Sequence, residues 1–92
     1  MPIINGPTSD PKTRSSIGMY CRQFRTSEFK ISTAEMSKLT NRPKQTIEAF
    51  ESGKSTNVQH IVNYLAVCSD KEMQDRFLNG LNETFRNLAT NK

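Results

Sequence analysis

The chain has 92 residues, a formal net charge of +4 and 34% hydrophobic residues. This length suits one compact domain, so we expect no second domain that would sense a small-molecule effector. The sequence contains no apolar run of about 18 residues and no basic start typical of a signal peptide, so we expect a cytoplasmic protein without a membrane span.

The chain is predicted to begin with a flexible arm over residues 1 to 12, because three prolines and a glycine interrupt it. A first helix is expected from near Arg14 to near Ser27. Its apolar positions Ile17, Cys21 and Phe24 recur at helical spacing and would face the core. The two cysteines, 47 positions apart, are predicted to be reduced core residues rather than metal ligands.

A second helix is predicted to begin at the capping box Ser32-x-x-Glu35. In this motif the serine oxygen accepts a backbone N–H, and the glutamate accepts the serine N–H in return. The break after this helix is Thr40-Asn41-Arg42-Pro43. Asparagine tolerates left-handed backbone, and proline suits the first turn of a following helix.

A third helix is predicted from about Lys44, with Ile47 and Phe50 buried and Gly53 ending it in the left-handed conformation. Two short helices joined by a turn of three or four residues form the helix-turn-helix unit. Its second helix enters the major groove of DNA.

The segment resembles the phage-repressor (Cro/repressor-like, xenobiotic-response-element) family of helix-turn-helix proteins. That family's typical run is Q-x-E-L-A, a small turn, then S-x-x-x-I-S-x-x-E-x-G, and this chain has T-A-E-M-S from Thr33 and K-Q-T-I-E-A-F-E-S-G-K from Lys44. Flanking apolar patterns extend the resemblance to residues 14 to 68. Three features depart from the pattern: Asn41 replaces the usual glycine, Pro43 replaces the usual Ser or Thr cap, and the segment from Thr26 to Ile31 is one residue longer.

A fourth helix is predicted over about Asn57 to Val67, with one apolar stripe formed by Val58, Ile61, Val62 and Leu65. A second capping box, Ser69-x-x-Glu72, would open a long final helix that continues to about Leu88. Gly80 in its middle indicates a close approach or a bend. The sequence therefore predicts an all-α, compact five-helix fold in which the helix-turn-helix unit comprises the second and third helices.

The final helix, within residues 69 to 92, repeats apolar residues at every fourth position. It is either a helix that packs only on its own domain or a dimerisation element for a second copy. For the second alternative the candidate contacts are Phe77, Leu81, Phe85 and Leu88. The domain that would bind DNA then comprises residues 13 to 68.

The resemblance implies a role for individual residues. Candidates for contacts with base edges are Lys44, Gln45, Thr46 and Ala49. Candidates for phosphate contacts are Thr33, Arg42, Ser52, Lys54 and Ser55. The acidic position of the family, Glu51, is expected to form a structural ion pair with Arg25.

The basic residues are unevenly distributed. Residues 12 to 30 carry five Lys or Arg against one Glu, whereas four bases and four acids cancel from Thr56 onward. A basic excess beside the helix-turn-helix unit is what phosphate binding requires, although a solvated basic face is the alternative.

The resemblance and the charge distribution lead to a functional prediction. We expect a transcriptional regulator that reads double-stranded DNA, in the manner of a phage, plasmid or mobile-element repressor, as a homodimer on a palindromic operator. The alternative is a protein-interaction module, of antitoxin or antirepressor type, whose long C-terminal helix binds a protein partner. An enzyme is not expected, because the sequence has one histidine, no acid pair at catalytic spacing and no glycine-rich phosphate loop. We expect neither a metal nor a cofactor.

Overall fold

The structure, a computed structural model, describes residues 10 to 90. Five α-helices and one π-helical segment make up this part of the chain, which contains no strand: α1 (Pro11–Phe24), the π segment (Arg25–Phe29), α2 (Thr33–Thr40), α3 (Lys44–Glu51), α4 (Val58–Val67) and α5 (Lys71–Thr90). The predicted all-α, five-helix fold is confirmed.

The first helix begins earlier than predicted. Residues 1 to 9 of the predicted arm lie outside the described residues, but Pro11 and Lys12 belong to α1, so the arm prediction is wrong for them. The Asp10 carboxylate caps the helix by accepting the Thr13 backbone N–H at 3.3 Å. Pro11 occupies the first helical position, where its missing N–H would have no partner in any case.

The first helix also ends differently from the prediction, because its last turn widens into the π segment. The carbonyl of Arg25 accepts the backbone N–H of Lys30, five residues on, at 2.7 Å. Lys30 then adopts left-handed backbone with φ 58° and reverses the chain. The widened turn accommodates the additional residue noted between Thr26 and Ile31.

The local geometry of α2, of the turn that follows it and of α3 agrees closely with the sequence analysis. The capping box of α2 is present, with the Glu35 N–H donated to Ser32 Oγ at 3.1 Å. Asn41 has the expected left-handed backbone, with φ 57°. Pro43 occupies the N-cap position of α3, which therefore has no side-chain cap. Gly53, with φ 85°, ends α3 in a Schellman motif in which Lys54 N–H is donated to Ala49 O at 2.9 Å.

The apolar stripe predicted for α4 is wrong in part. Val58 and Val62 are 63% and 48% exposed, whereas Ile61 and Leu65 are half-buried against the core. The fully buried residue of α4 is Tyr64. The ring of Tyr64 packs beside Phe50, and its hydroxyl forms a hydrogen bond with a polar group inside the protein. The face of α4 that carries Tyr64 therefore points towards the core, and Val58 and Val62 point towards solvent.

The final helix has a different cap and a different buried face from those predicted. Asp70, not Ser69, caps α5, since its carboxylate accepts the Met73 backbone N–H at 2.9 Å. Phe77 and Leu81 are buried in the core of the same chain. They are therefore not available to a second copy, and their assignment as dimerisation contacts is wrong. Phe85 is 42% exposed, and Leu88 is half-buried.

Gly80 marks a close approach of α1 to α5, one of the two predicted alternatives. A Cβ on Gly80 would lie 2.6 Å from two ring carbons of Tyr20 and closer still to its hydroxyl. The hydroxyl of Tyr20 donates a hydrogen bond to the carbonyl oxygen of Phe77, at 2.8 Å. Burial raises the pKa of Tyr20 to about 12, so the phenol keeps its proton and remains a donor.

The core lies between α1, α3, α4 and α5, with Met36 contributed by α2. Both cysteines, Cys21 and Cys68, are free thiols within it, as predicted. Burial raises the pKa of each thiol, which keeps it neutral. Across residues 10 to 90, no helix combines the length and the apolar character needed to cross a membrane.

Candidate nucleic-acid interface

The outward face of α3 carries the side chains predicted for base contacts. Lys44 and Gln45 are exposed at the start of the helix, and Thr46 and Ala49 are half-buried. Ile47 and Phe50 are buried on the opposite face. Lys44 and Gln45 are thus more accessible to a ligand than Thr46 and Ala49.

Close backbone packing fixes α3 against α1. A Cβ on Gly18 of α1 would lie 2.7 Å from the carbonyl oxygen of Glu51, and closer still to that of Phe50. The absence of a side chain at Gly18 therefore allows the two helices to approach. Arg14 of α1 adds a hydrogen bond from its Nε to the Gly53 carbonyl, 3.0 Å away, at the end of α3.

The predicted ion pair between Arg25 and Glu51 is confirmed. Arg25 donates from Nε to Glu51 Oε2 at 2.7 Å and from Nη2 to Oε1 at 2.9 Å, a bidentate arrangement. The two residues are only 7% and 8% exposed. The pair raises the pKa of Arg25, so its charge is permanent. It ties the π segment to the last turn of α3.

A third member of this network was missed by the sequence analysis. The hydroxyl of Tyr64 donates a hydrogen bond to Glu51 Oε2. The pKa of this phenol is raised, first by burial and second by the carboxylate of Glu51. Arg25 also donates from Nη1 to the carbonyl of Ile31 at 2.7 Å. A tyrosine within a mostly apolar helix was the available signal, since a buried phenol requires a hydrogen-bond partner.

The predicted phosphate-contacting residues fall into two groups. Thr33, half-buried in the first turn of α2, and the exposed Ser52 line one groove between α1, α2 and α3. The exposed residues Arg42, Lys54 and Ser55 do not line this groove.

Arg22 of α1 also lines this groove and is exposed, and the sequence analysis did not assign it to the site. The signal was its position three residues before Arg25, because residues at this spacing are neighbours on a helical surface. Glu48 of α3 lines the groove as well, so the basic and hydroxyl side chains there lie beside one carboxylate.

His60 stacks on Phe50 behind α3, with ring centroids 4.8 Å apart. Partial burial, and then the positive charge of Arg42, lower the pKa of His60. Both effects favour the neutral imidazole, which packs against the buried side of α3.

Within the described part of the chain, no three His, Cys, Asp or Glu side chains are grouped so that they could hold a metal ion. Comparison of the chain with models of protein families, with curated proteins and with solved structures gave no match.

Proposed function

We propose that this protein is a non-enzymatic regulator of transcription that binds specific DNA sequences and acts in the cytoplasm as a repressor, as a homodimer on a palindromic operator. The observation that supports this proposal best is the exposed pair Lys44 and Gln45 at the start of a rigidly held α3. In a helix-turn-helix unit, this end of the second helix reaches the base edges.

The chemistry of these side chains fits the major groove. Lys44 can donate to O6 and N7 of guanine, and Gln45 can form two hydrogen bonds with adenine. The exposed parts of Thr46 and Ala49 can add a polar contact and an apolar contact to a thymine methyl group. These contacts with the bases would determine which DNA sequence the protein binds.

Phosphate contacts would set the orientation of the protein on DNA. The N–H groups of Thr33 and Ala34 in the first turn of α2 favour an anion, because they lie outside the capping box, lack partners within the helix and lie at the positive end of its dipole. Arg22 and Ser52 line the same groove. The exposed residues Arg42, Lys54 and Ser55 are further candidates for phosphate contacts. These groups position the protein but carry no sequence information.

The test is selection of DNA from a random library by the purified protein at about 150 mM salt, which suppresses weak non-specific binding. We expect an inverted repeat with half-sites about 34 Å apart. Lys44→Ala and Gln45→Ala should each abolish enrichment, whereas the control Lys71→Ala, on α5, should not. Salt-sensitive binding without an enriched motif would contradict the proposal.

The second candidate is a protein-interaction module that uses α5. The observation in its favour is that Leu78 and Phe85 are 44% and 42% exposed on that helix. A protein partner that binds equally well to the native protein and to Lys44→Ala, with no DNA motif recovered, would favour this candidate.

A further inference from the structure

Glu48 is an acidic side chain on the surface proposed to face DNA. It lies one helical turn after Lys44 on α3, and its side chain is 52% exposed. It also lines the groove that contains Arg22, Thr33 and Ser52. A phosphate at the start of α2 would therefore lie close to this carboxylate.

The fold does not require the charge of Glu48. Its ion pair is with Lys44 on the same helix, at 3.9 Å between Lys44 Nζ and Glu48 Oε2, and both side chains are more than half exposed. Exposed pairs of this spacing contribute little to stability. The neighbouring acid Glu51, in contrast, is buried in the polar network described above.

A carboxylate in this place lowers the affinity for every DNA sequence, because it repels phosphates. The repulsion is offset only where the bases present a donor. In the major groove both cytosine and adenine present an amino donor, but that of adenine lies beside the N7 acceptor, which repels a carboxylate. The donor that suits a carboxylate is therefore the N4 amino group of cytosine. An acidic side chain thus favours one base pair and disfavours the others, which is how specificity arises from repulsion as well as attraction.

We propose that Glu48 is a specificity-determining residue of the DNA site: it accepts a hydrogen bond from a cytosine amino group and repels sequences that lack this donor. This inference rests on the proposed DNA-binding function. In the free protein Glu48 holds Lys44 loosely. In the complex Lys44 turns to a guanine, and the released carboxylate turns to the cytosine.

The experiment is library selection with the native protein, Glu48→Gln and Glu48→Ala, accompanied by titration of each with random-sequence DNA. Glu83→Gln, an exposed glutamate of α5, is the matched control. Thermal melting establishes that each variant is folded.

We expect a half-site position at which the native protein prefers cytosine over the other bases by about 5-fold or more. Glu48→Gln should shift that position towards adenine, because glutamine pairs with adenine. Glu48→Ala should lose the preference there, keep the rest of the motif and bind random DNA more tightly than the native protein does.

Three failures are distinguishable. An unchanged motif at every position in both Glu48 variants would overturn the role of Glu48 and leave the proposed function intact. A native protein that enriches no motif would overturn both. A motif that changes in Glu83→Gln as well would also overturn the assignment, because the effect would then follow from net charge.

Discussion

Glu51 is the centre of a buried network in which it accepts hydrogen bonds from Arg25 and Tyr64. Removal of its carboxylate leaves the guanidinium of Arg25 buried without its anion. We expect Glu51→Ala to lower the free energy of unfolding by about 3–5 kcal/mol, a large share of the total for a domain of this size. Chemical denaturation monitored by circular dichroism measures this. A loss below about 1 kcal/mol, as for an exposed ion pair, would contradict the structural role.

Tyr64 supplies the smaller part of the same network. Tyr64→Phe removes the hydroxyl but leaves both hydrogen bonds between Arg25 and Glu51. We expect a loss of about 1.5–3 kcal/mol, the range for a hydrogen bond to a charged group, and hence a milder effect than that of Glu51→Ala. The same denaturation experiment compares the two variants. A Tyr64→Phe protein as stable as the native protein would show that Glu51 does not need the phenol.

At Gly80, helix propensity and tertiary packing have opposite effects on the stability of a Gly→Ala variant. In an isolated helix Gly→Ala is favourable by about 1 kcal/mol. Here the added Cβ would overlap the ring and hydroxyl of Tyr20. Because overpacking costs about 1–3 kcal/mol, we expect Gly80→Ala to destabilise the protein. In a Tyr20→Ala background the same substitution should become stabilising, which a double-mutant cycle of melting experiments measures. An equal effect in both backgrounds would rule out the contact.

His60 predicts a pH dependence of stability. Because its folded pKa is below the ordinary value of 6.5, the unfolded chain takes up the proton first as the pH falls. The contribution of His60 is thus complete above about pH 6.5 and is lost as the pH falls through the lower folded pKa. We expect the drop in melting temperature between about pH 7.5 and about pH 5.5 to be smaller in His60→Phe, which keeps a ring beside Phe50. Identical drops would contradict the lowered pKa.

At the scale of the elements, the π segment is a turn of helix that departs from α-helical geometry, and it contains Arg25. A π turn contains one residue more than an α turn, so deletion of the exposed Ser27 should convert it to α-helix and keep both ends in register. We expect cooperative melting within about 5 °C of the native protein, equivalent to ~1 kcal/mol. Deletion of Met19 in α1 is the control. It rotates the start of α1 by roughly 100° and should unfold the domain. Unfolding by both deletions would show that the π turn is required.

The features that the sequence predicted well are those decided within four or five residues of the chain. The capping box at Ser32, the left-handed Asn41 and the end of α3 at Gly53 depend on local hydrogen bonds and backbone sterics. The ion pair between Arg25 and Glu51 was predictable only through the resemblance to a family.

The features that were predicted wrongly or missed depend mainly on contacts between distant parts of the chain. The spacing of apolar residues in α4 does not show whether the buried face contains Val58 and Val62 or Tyr64. Burial of Tyr64 depends on its hydrogen bond to Glu51, which lies 13 residues away in the chain. Ser69 and Asp70 are both good helix caps, so the local sequence does not choose between them. Lys44 and Gln45 were predictable as exposed because α3 buries only Ile47, Phe50 and Glu51. The groove that adds Arg22 depends on the packing of α1.

At the scale of the whole molecule, the proposed DNA surface lies on α2 and α3, whereas the largest exposed apolar side chains of α5 are Leu78 and Phe85. These two are seven residues apart, two helical turns, and so lie on one face of α5. They replace Phe77 and Leu81 as the contacts proposed for a second copy. Dimerisation through α5 would leave α3 of each copy available to DNA.

We expect the native protein to sediment as a dimer at micromolar concentration, and Phe85→Glu to sediment as a folded monomer, because a buried charge without a partner opposes association. Val62→Glu, on the exposed face of α4, is the matched control and should remain a dimer. Phe85→Glu should also lose the enrichment of inverted repeats, since one half-site contributes only part of the binding energy. If Phe85→Glu remains a dimer and Val62→Glu becomes a monomer, the interface lies on α4. If the native protein itself is a monomer, it can recognise only a single half-site.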